Sequence, residues 1–178
     1  PEVRAKIAKA LQDESKIELT LENIVMTVGA AGGLNVVLKS ILNPLEEVIV
    51  FAPYFVEYNS YVDNNGGKTI VVPPDTSTFE PDLLLFEKSI NANTKAIIIN
   101  NPNNPTGVVY SKDTLENIEK ILAEKEKEFG TTIYVLSDEP YSKIVYDNIK
   151  LTNLLSIFKN AIIINSFSKS LGLAGERI

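Results

Sequence analysis

The sequence of 178 residues contains no cysteine and no histidine. Without a thiol or an imidazole, the chain cannot supply a thiolate nucleophile, a disulfide or the base of a Ser/His/Asp or Cys/His arrangement. A zinc site would have to consist of carboxylates and water, a poor match to the usual nitrogen and sulfur ligands, so we expect no metal site. An enzyme of this composition that transfers protons must therefore use Lys, Tyr, Asp or Glu.

Basic charge and long apolar runs are also scarce. The chain has 17 Lys and Arg residues against 23 Asp and Glu residues, a net charge of -6, and the basic residues are scattered. A nucleic-acid partner needs clustered basic residues and is not expected. The longest apolar runs, such as 96–99 and 161–164, are much shorter than a membrane span, and no signal segment opens the chain. We expect a cytoplasmic protein with no membrane partner.

Length and composition predict one globular unit. A chain of 178 residues, 44% of them hydrophobic, can bury one substantial core, so we assign residues 1–178 to a single domain. The sequence begins with Pro1 and ends at Ile178 directly after an apparent motif. The expectation is that the chain is a fragment or an excised domain of a longer protein.

Alternating apolar runs and helical patterns predict an α/β fold. The predicted strands are 23–28, 46–51, 68–73, 95–100, 132–137 and 161–166. The predicted helices are 1–14, 34–42, 53–63, 81–90 and 111–129, the last with Ser111 as its N-cap and Gly130 as its stop. Strands that are apolar on both faces and alternate with helices indicate a three-layer sandwich around a mostly parallel sheet.

Four polar, turn-forming segments follow four of the predicted strands. They are GAAGGL (29–34), NNPNNPTG (100–107), SDEPY (137–141) and SFSKS (166–170). Ligands of parallel sheets bind beyond the carboxyl ends of the strands. We therefore expect the four segments to surround one site.

Each segment alone is ambiguous. GAAGGL is either a plain tight turn or a helix start whose backbone N–H groups hold a phosphate, and it lacks the Lys-Ser/Thr of a nucleotide P-loop. NNPNNPTG is either a surface turn or a rigid loop that aims an asparagine at a ligand. Asp138 could be a helix cap or a solvated carboxylate, and Lys169 a solvated loop residue.

Taken together and in this order, the four segments resemble the aspartate aminotransferase family of fold-type I pyridoxal-phosphate-dependent enzymes. The resemblance runs from about residue 23 to Ile178 and implies most of the family's large cofactor-binding domain. The family's N-terminal segment and C-terminal small domain, with the arginine that grips the substrate carboxylate, have no counterpart in the sequence. We therefore do not expect the chain alone to catalyse transamination.

The resemblance implies a role for each motif residue. Lys169 would form the internal aldimine with pyridoxal 5′-phosphate and then move the proton between the substrate Cα and the cofactor. Asp138 would face the pyridine nitrogen and keep it protonated, which makes the ring an electron sink. Tyr141 and Asn104 would hydrogen-bond the cofactor's phenolic oxygen.

The resemblance also implies how the phosphate and the ring are held. The phosphate contacts would come from two backbone amides and three side chains, namely Ala30, Ala31, Ser166, Ser168 and Arg177. Phe55 is favoured over Tyr54 as the aromatic that stacks on the ring, because the family pattern leaves one residue between Pro53 and the stacking position. An ordinary core phenylalanine is the alternative.

The function implied is transamination between an amino acid and a 2-oxo acid by a ping-pong mechanism, in a homodimer. A β-lyase or a cyclase on the same scaffold is the nearest alternative, because the motif residues act on the cofactor and do not determine which reaction follows. A cofactor-sensing domain of a transcription regulator and an α/β domain without a cofactor are further alternatives.

Overall fold

The structure is a computed structural model that describes residues 1–176. In chain order its helices and strands are α1 (Glu2–Ser15), α2 (Gly29–Ile41), β1 (Glu47–Phe51), α3 (Glu57–Asn64), β2 (Lys68–Val72), α4 (Leu83–Ser89), β3 (Thr94–Asn100), α5 (Lys112–Phe129), β4 (Tyr134–Asp138), β5 (Ala161–Ile164) and α6 (Phe167–Ser170). Within these residues no helix is long and apolar enough to cross a membrane.

The five strands form one parallel sheet in the order β2-β1-β3-β4-β5. After β1 the chain moves to one edge of the sheet, and after β2 it returns across β1 and continues to the other edge. The strand order therefore reverses between β1 and β3, and ligands of such sheets bind outside the carboxyl ends of the strands at this kind of reversal. The predicted α/β architecture is confirmed. It places a candidate site at the carboxyl ends of the strands, which we call the carboxyl edge of the sheet.

The two faces of the sheet carry separate cores. Along β1, Ile49 and Phe51 pack into one cluster with side chains of α4 and α5, whereas Val48 and Val50 pack into a second cluster with side chains of α2 and α3. This alternation follows from the two-residue period of a strand. Helices cover both faces, so the predicted three-layer sandwich is confirmed.

The predicted first strand, residues 23–28, is wrong. A short 3-10 turn (Leu21–Asn23) is followed by backbone that pairs with no strand of the described sheet. Most of its apolar side chains face outward, since Val25 is 73% and Val28 64% exposed, whereas Ile24 is half-buried. A β-branched run forms a strand where it finds a partner and burial, and within residues 1–176 this run finds no partner strand and little burial.

The segment GAAGGL consequently follows an irregular stretch rather than a strand. Helix α2 begins at Gly29, five residues before the predicted start at Leu34. The glycines and alanines of this segment are its first turns and not a separate tight turn. The predicted helix start with open backbone amides is therefore present, but the strand before it is not.

Candidate cofactor site

The ends of β3 and β4 are tied together by Asn100, the last residue of β3. Its side-chain Nδ2 donates to the backbone carbonyl of Asp138 at 2.9 Å, and its Oδ1 accepts from the backbone N–H of Asn104 at 2.6 Å. Asn100 is buried and so must satisfy its amide within the protein. One side chain thereby fixes the position of two predicted site residues.

Two further asparagines hold the loop after β3 in shape. Asn101 Oδ1 accepts from the backbone N–H of Tyr110 at 3.0 Å. Asn103 donates from Nδ2 to the carbonyl of Pro53 at 3.2 Å and accepts at Oδ1 from the hydroxyl of Thr106 at 2.7 Å. The side chain of Asn104, by contrast, makes no hydrogen bond within residues 1–176. Of the four asparagines, Asn104 is the one whose amide is available to a ligand.

Asp138 is the last residue of β4. Its carboxyl group is buried, and only one of its two oxygens has a hydrogen-bond partner among the described residues. The residue is 6% exposed. The hydroxyl of Tyr58 donates to Oδ2 at 2.5 Å, whereas Oδ1 is buried without a hydrogen-bond partner among the described residues. Burial raises the pKa of Asp138 to about 6, against the opposing effect of the Tyr58 hydrogen bond. A buried oxygen without a partner is a rare feature and is suited to a ligand that carries a proton or a positive charge.

The sequence prediction missed Tyr58. The residue lies on α3 and is 1% exposed, with its ring in the core between α2, α3 and the sheet. Burial is the main cause that raises its pKa, and the charge of Asp138 adds to it, so the hydroxyl is a donor at neutral pH. The only signal in the sequence was a tyrosine spaced four residues before Val62 on a helix, which by itself indicates a core position.

The N-terminus of α2 is open to an anion. Val28 precedes the helix and makes no side-chain capping bond, and the N–H of Gly29 donates to the carbonyl of Thr27 at 3.0 Å. Within residues 1–176 the N–H groups of Ala30 and Ala31 therefore have no side-chain cap. Further along, Gly33 lies against Ile164, the last residue of β5. This contact places the start of the helix beside the carboxyl end of that strand.

The short helix α6 begins in the segment that follows β5. Ser166 is its N-cap and accepts from the backbone N–H of Ser168 at 3.0 Å, and the two hydroxyls are 2.8 Å apart at their oxygens. Ser166 is buried, Ser168 is half-buried and Lys169 is exposed at the end of this turn. Arg177, the last predicted phosphate ligand, lies outside the described residues.

The aromatic candidates after β1 both lie beside Tyr58. The ring of Phe55 meets that of Tyr58 edge-on with centroids 5.7 Å apart, and the ring of Tyr54 is nearly parallel to it at 6.4 Å. Both side chains are half-buried, and Tyr54 also donates to Asn59. The preference for Phe55 over Tyr54 stays a prediction.

The carboxyl edge of the sheet thus gathers the predicted residues from four strand ends. Phe55 follows β1, Asn104 follows β3, Asp138 and Tyr141 end or follow β4, and Lys169 follows β5. A half-satisfied buried carboxylate fits a protonated ring nitrogen, and the open start of α2 fits a phosphate. These residues therefore fit pyridoxal 5′-phosphate.

This fold and this edge define an α/β protein with a site for a phosphate-bearing cofactor. The family model for aminotransferase class I and II matches residues 1–178. The chain belongs to the aminotransferase class I and II family. Enzymes of this family depend on pyridoxal 5′-phosphate, so the cofactor predicted from the motifs is that of the family.

Named relatives and solved structures agree with this family. The aspartate aminotransferase of Thermotoga maritima is 36% identical over 99% of the chain and 46% of its own length. A probable aspartate aminotransferase of Methanocaldococcus jannaschii is 35% identical over the whole chain and 45% of its own length. The crystal structure of an aminotransferase from Eubacterium rectale superposes with a TM-score of 0.97 at 41% identity, covering 99% of the chain and 44% of that structure. The chain spans a little under half the length of these relatives.

Proposed function

We propose that this chain carries the cofactor-binding part of a pyridoxal-phosphate-dependent transaminase that exchanges an amino group between an amino acid and a 2-oxo acid. The observation that supports this most directly is Asp138, a buried carboxyl with one free oxygen at the carboxyl edge of the sheet. Asn104 follows β3 and Lys169 follows β5, the two strands that flank β4 in the sheet. These groups are ones that could bind and activate pyridoxal phosphate, on which transamination depends.

The cofactor, when bound, supplies an electron sink for the substrate's Cα–H bond. The chain's residues do the rest in our proposal. The Lys169 amine would hold the cofactor and carry the proton to and from Cα, and Asp138 would keep the ring nitrogen protonated. Asn104 and Tyr141 would donate to the phenolic oxygen. Phe55 would stack on the ring, and the phosphate would be held by Ala30, Ala31, Ser166, Ser168 and Arg177.

The substrate pair is proposed from the names of the relatives. Several relatives are named aspartate aminotransferases, and some are named aspartate/prephenate aminotransferases. Aspartate is therefore the first amino donor to assay. The homodimer and the cytoplasmic location are also proposals, drawn from the resemblance and from the composition.

Borohydride reduction of the cofactor-loaded chain, followed by peptide mapping, tests the proposal. We expect the reduced cofactor on the peptide that contains Lys169 and no label after Lys169→Ala. Lys159→Ala, a change outside the proposed site, is the matched control and should label as the wild type does. Label on another lysine, or none, would contradict the assignment. Release of pyruvate and ammonia without an oxo-acid acceptor would instead indicate a lyase.

A further inference from the structure

The carboxyl group of Asp138 depends on Tyr58 for its polar contact. Tyr58 is 80 residues away in the sequence, and its hydroxyl meets Oδ2 at 2.5 Å. Burial favours the neutral form of Asp138, and the hydrogen bond from Tyr58 is what opposes this effect. Within residues 1–176, no lysine or arginine forms an ion pair with this carboxylate. Among the described residues, the neutral hydroxyl of Tyr58 is therefore the group that stabilises this carboxylate by a side-chain hydrogen bond.

The ring of Tyr58 is held so that its hydroxyl cannot easily turn away. It packs in the core cluster that contains Leu34, Val62 and Ile98. Three other aromatic rings surround it, namely Tyr54, Phe55 and Tyr61, with centroids 5.7 to 6.4 Å away. In a closely packed interior such a ring keeps one rotamer. The carboxyl group of Asp138 is thereby fixed in orientation through one of its oxygens.

The two oxygens of Asp138 consequently have different surroundings. Oδ2 is occupied by Tyr58, and Oδ1 is buried and lacks a partner among the described residues. We infer that Tyr58 is a positioning residue, which keeps Asp138 ionised and aims its free oxygen at the ring nitrogen of the bound cofactor. This inference rests on the function proposed above, because it needs a cofactor at Asp138.

Other titratable groups near Asp138 bear on any pH measurement. Tyr61 on α3 and Glu139 on the loop after β4 both interact with its charge, and Tyr141 interacts with Tyr58. The hydroxyl of Tyr61 donates to Glu57 rather than to Asp138. Tyr61→Phe therefore removes an equivalent hydroxyl from the same helix without touching the carboxyl, and is the matched control for Tyr58→Phe.

The first test titrates Asp138 in the full chain without cofactor. In protein labelled with ¹³C at the aspartate carboxyl, the resonance missing from Asp138→Asn identifies Asp138. We expect its midpoint near a pKa of about 6 in the wild type. Loss of a hydrogen bond to a charged group should move the midpoint up by roughly one pH unit in Tyr58→Phe. Tyr61→Phe should leave it in place.

The second test measures pyridoxal-phosphate affinity from cofactor absorbance at pH 7.5. Tyr58→Phe should raise the dissociation constant roughly tenfold, and Tyr61→Phe less than about twofold. An unmoved midpoint in Tyr58→Phe overturns the inference. So does a moved midpoint with unchanged affinity, or an equal loss of affinity in Tyr61→Phe.

A third measurement covers the case in which Tyr58→Phe does not fold. The wild-type chain is then produced with 3-fluorotyrosine, whose more acidic hydroxyl is a stronger donor. The Asp138 midpoint should fall, and an unchanged midpoint overturns the inference. If the wild type binds no pyridoxal phosphate at Lys169, the proposed function fails, while the cofactor-free titration still reports whether Tyr58 sustains the charge of Asp138.

Discussion

Gly33 on α2 lies so close to Ile164 at the end of β5 that a Cβ atom on the glycine would come within 3.1 Å of Ile164 Cγ2. The same atom would meet Thr27 Oγ1 at 3.3 Å. Ile164 is buried in the core, and Thr27 is held by its hydrogen bond to the carbonyl of Gly29. Neither neighbour can move freely. The absence of a side chain at Gly33 thus sets the distance between the helix start and the strand end.

We predict that Gly33→Ala destabilises the chain. Alanine gains about 1 kcal/mol of helix propensity over glycine, but overpacking a core contact costs about 1 to 3 kcal/mol. Gly32→Ala is the matched control, because its Cβ would have an ordinary contact of 3.4 Å with Val28. Urea unfolding should place Gly33→Ala about 1 to 2 kcal/mol below Gly32→Ala. Equal stability of the two variants would show that α2 shifts at no cost.

Asp138 should make the cofactor-free chain less stable as the pH rises. Burial raises its pKa from 3.8 to about 6, so the folded chain binds this proton more tightly than the unfolded chain. Stability therefore falls as the pH rises through the window between these values, and the full cost is present above it. At roughly 1.4 kcal/mol per pKa unit, that cost is about 3 kcal/mol.

Asp138→Asn should therefore stabilise the cofactor-free chain at pH 8, by about 1 to 2 kcal/mol. The gain is smaller than the full cost because the amide places a donor where Oδ1 has no partner. Below pH 4 the difference between variant and wild type should shrink. Urea unfolding across this pH range measures it, with the exposed Asp63→Asn as control. A difference that does not change with pH would show that burial of the charge is not its cause.

Local patterns were enough to predict much of this fold. Strands β1 to β5 are short apolar runs between turn residues, and α5 has its N-cap and its glycine stop in the sequence. The run 23–28 is also apolar and rich in β-branched residues. It differs in that it pairs with no strand among residues 1–176, and pairing with a partner strand depends on the fold of the whole chain rather than on six residues.

For the candidate site too, local patterns predicted some residues and missed a contact that depends on the whole fold. The polar segments at strand ends indicated Asp138 and Asn104, because the carboxyl edge of a parallel sheet is where ligands bind. The contact between Tyr58 and Asp138 spans 80 residues and depends on how α3 packs on the sheet. No local pattern distinguishes a core tyrosine from one whose hydroxyl holds a carboxylate.

Glu80 should stabilise the start of α5 from outside the helix. Its Oε1 accepts from the backbone N–H of Ser111 at 2.6 Å, and its Oε2 accepts from the hydroxyl of Thr114. Ser111 Oγ in turn accepts from the backbone N–H of Thr114 at 3.2 Å. Glu80 and the N-cap therefore share their partners. We predict that Glu80→Ala costs about 1 to 2 kcal/mol and Ser111→Ala about 1 kcal/mol.

The double variant of Glu80 and Ser111 should lose less stability than the two single losses added together, because each change already disrupts part of the other's contacts. Glu116→Ala is the control. It removes only an exposed ion pair with Lys112 on the same helix, which is worth about 0.5 kcal/mol or less. Thermal or urea unfolding measures all four variants. Strict additivity would contradict a shared network.

Alanine variants of Asn103 and Asn104 should distinguish the residue that stabilises the loop from the residue that binds the cofactor. Asn103→Ala loses the bonds to Pro53 and Thr106 in a buried position and should destabilise the chain by about 2 kcal/mol. Asn104→Ala keeps the backbone bond to Asn100, the one hydrogen bond that residue makes within residues 1–176. Its stability should stay within about 0.5 kcal/mol of the wild type.

The affinities for pyridoxal phosphate should rank these two variants in the opposite order. Asn104→Ala removes the amide proposed to donate to the phenolic oxygen and should weaken binding about tenfold. Asn103→Ala, measured at a temperature and urea concentration where it is fully folded, should bind more tightly than Asn104→Ala. Absorbance titration gives both constants under identical conditions. If Asn104→Ala binds like the wild type, its amide faces solvent, and the loop contributes to the site only through the contacts of Asn100 and Asn103.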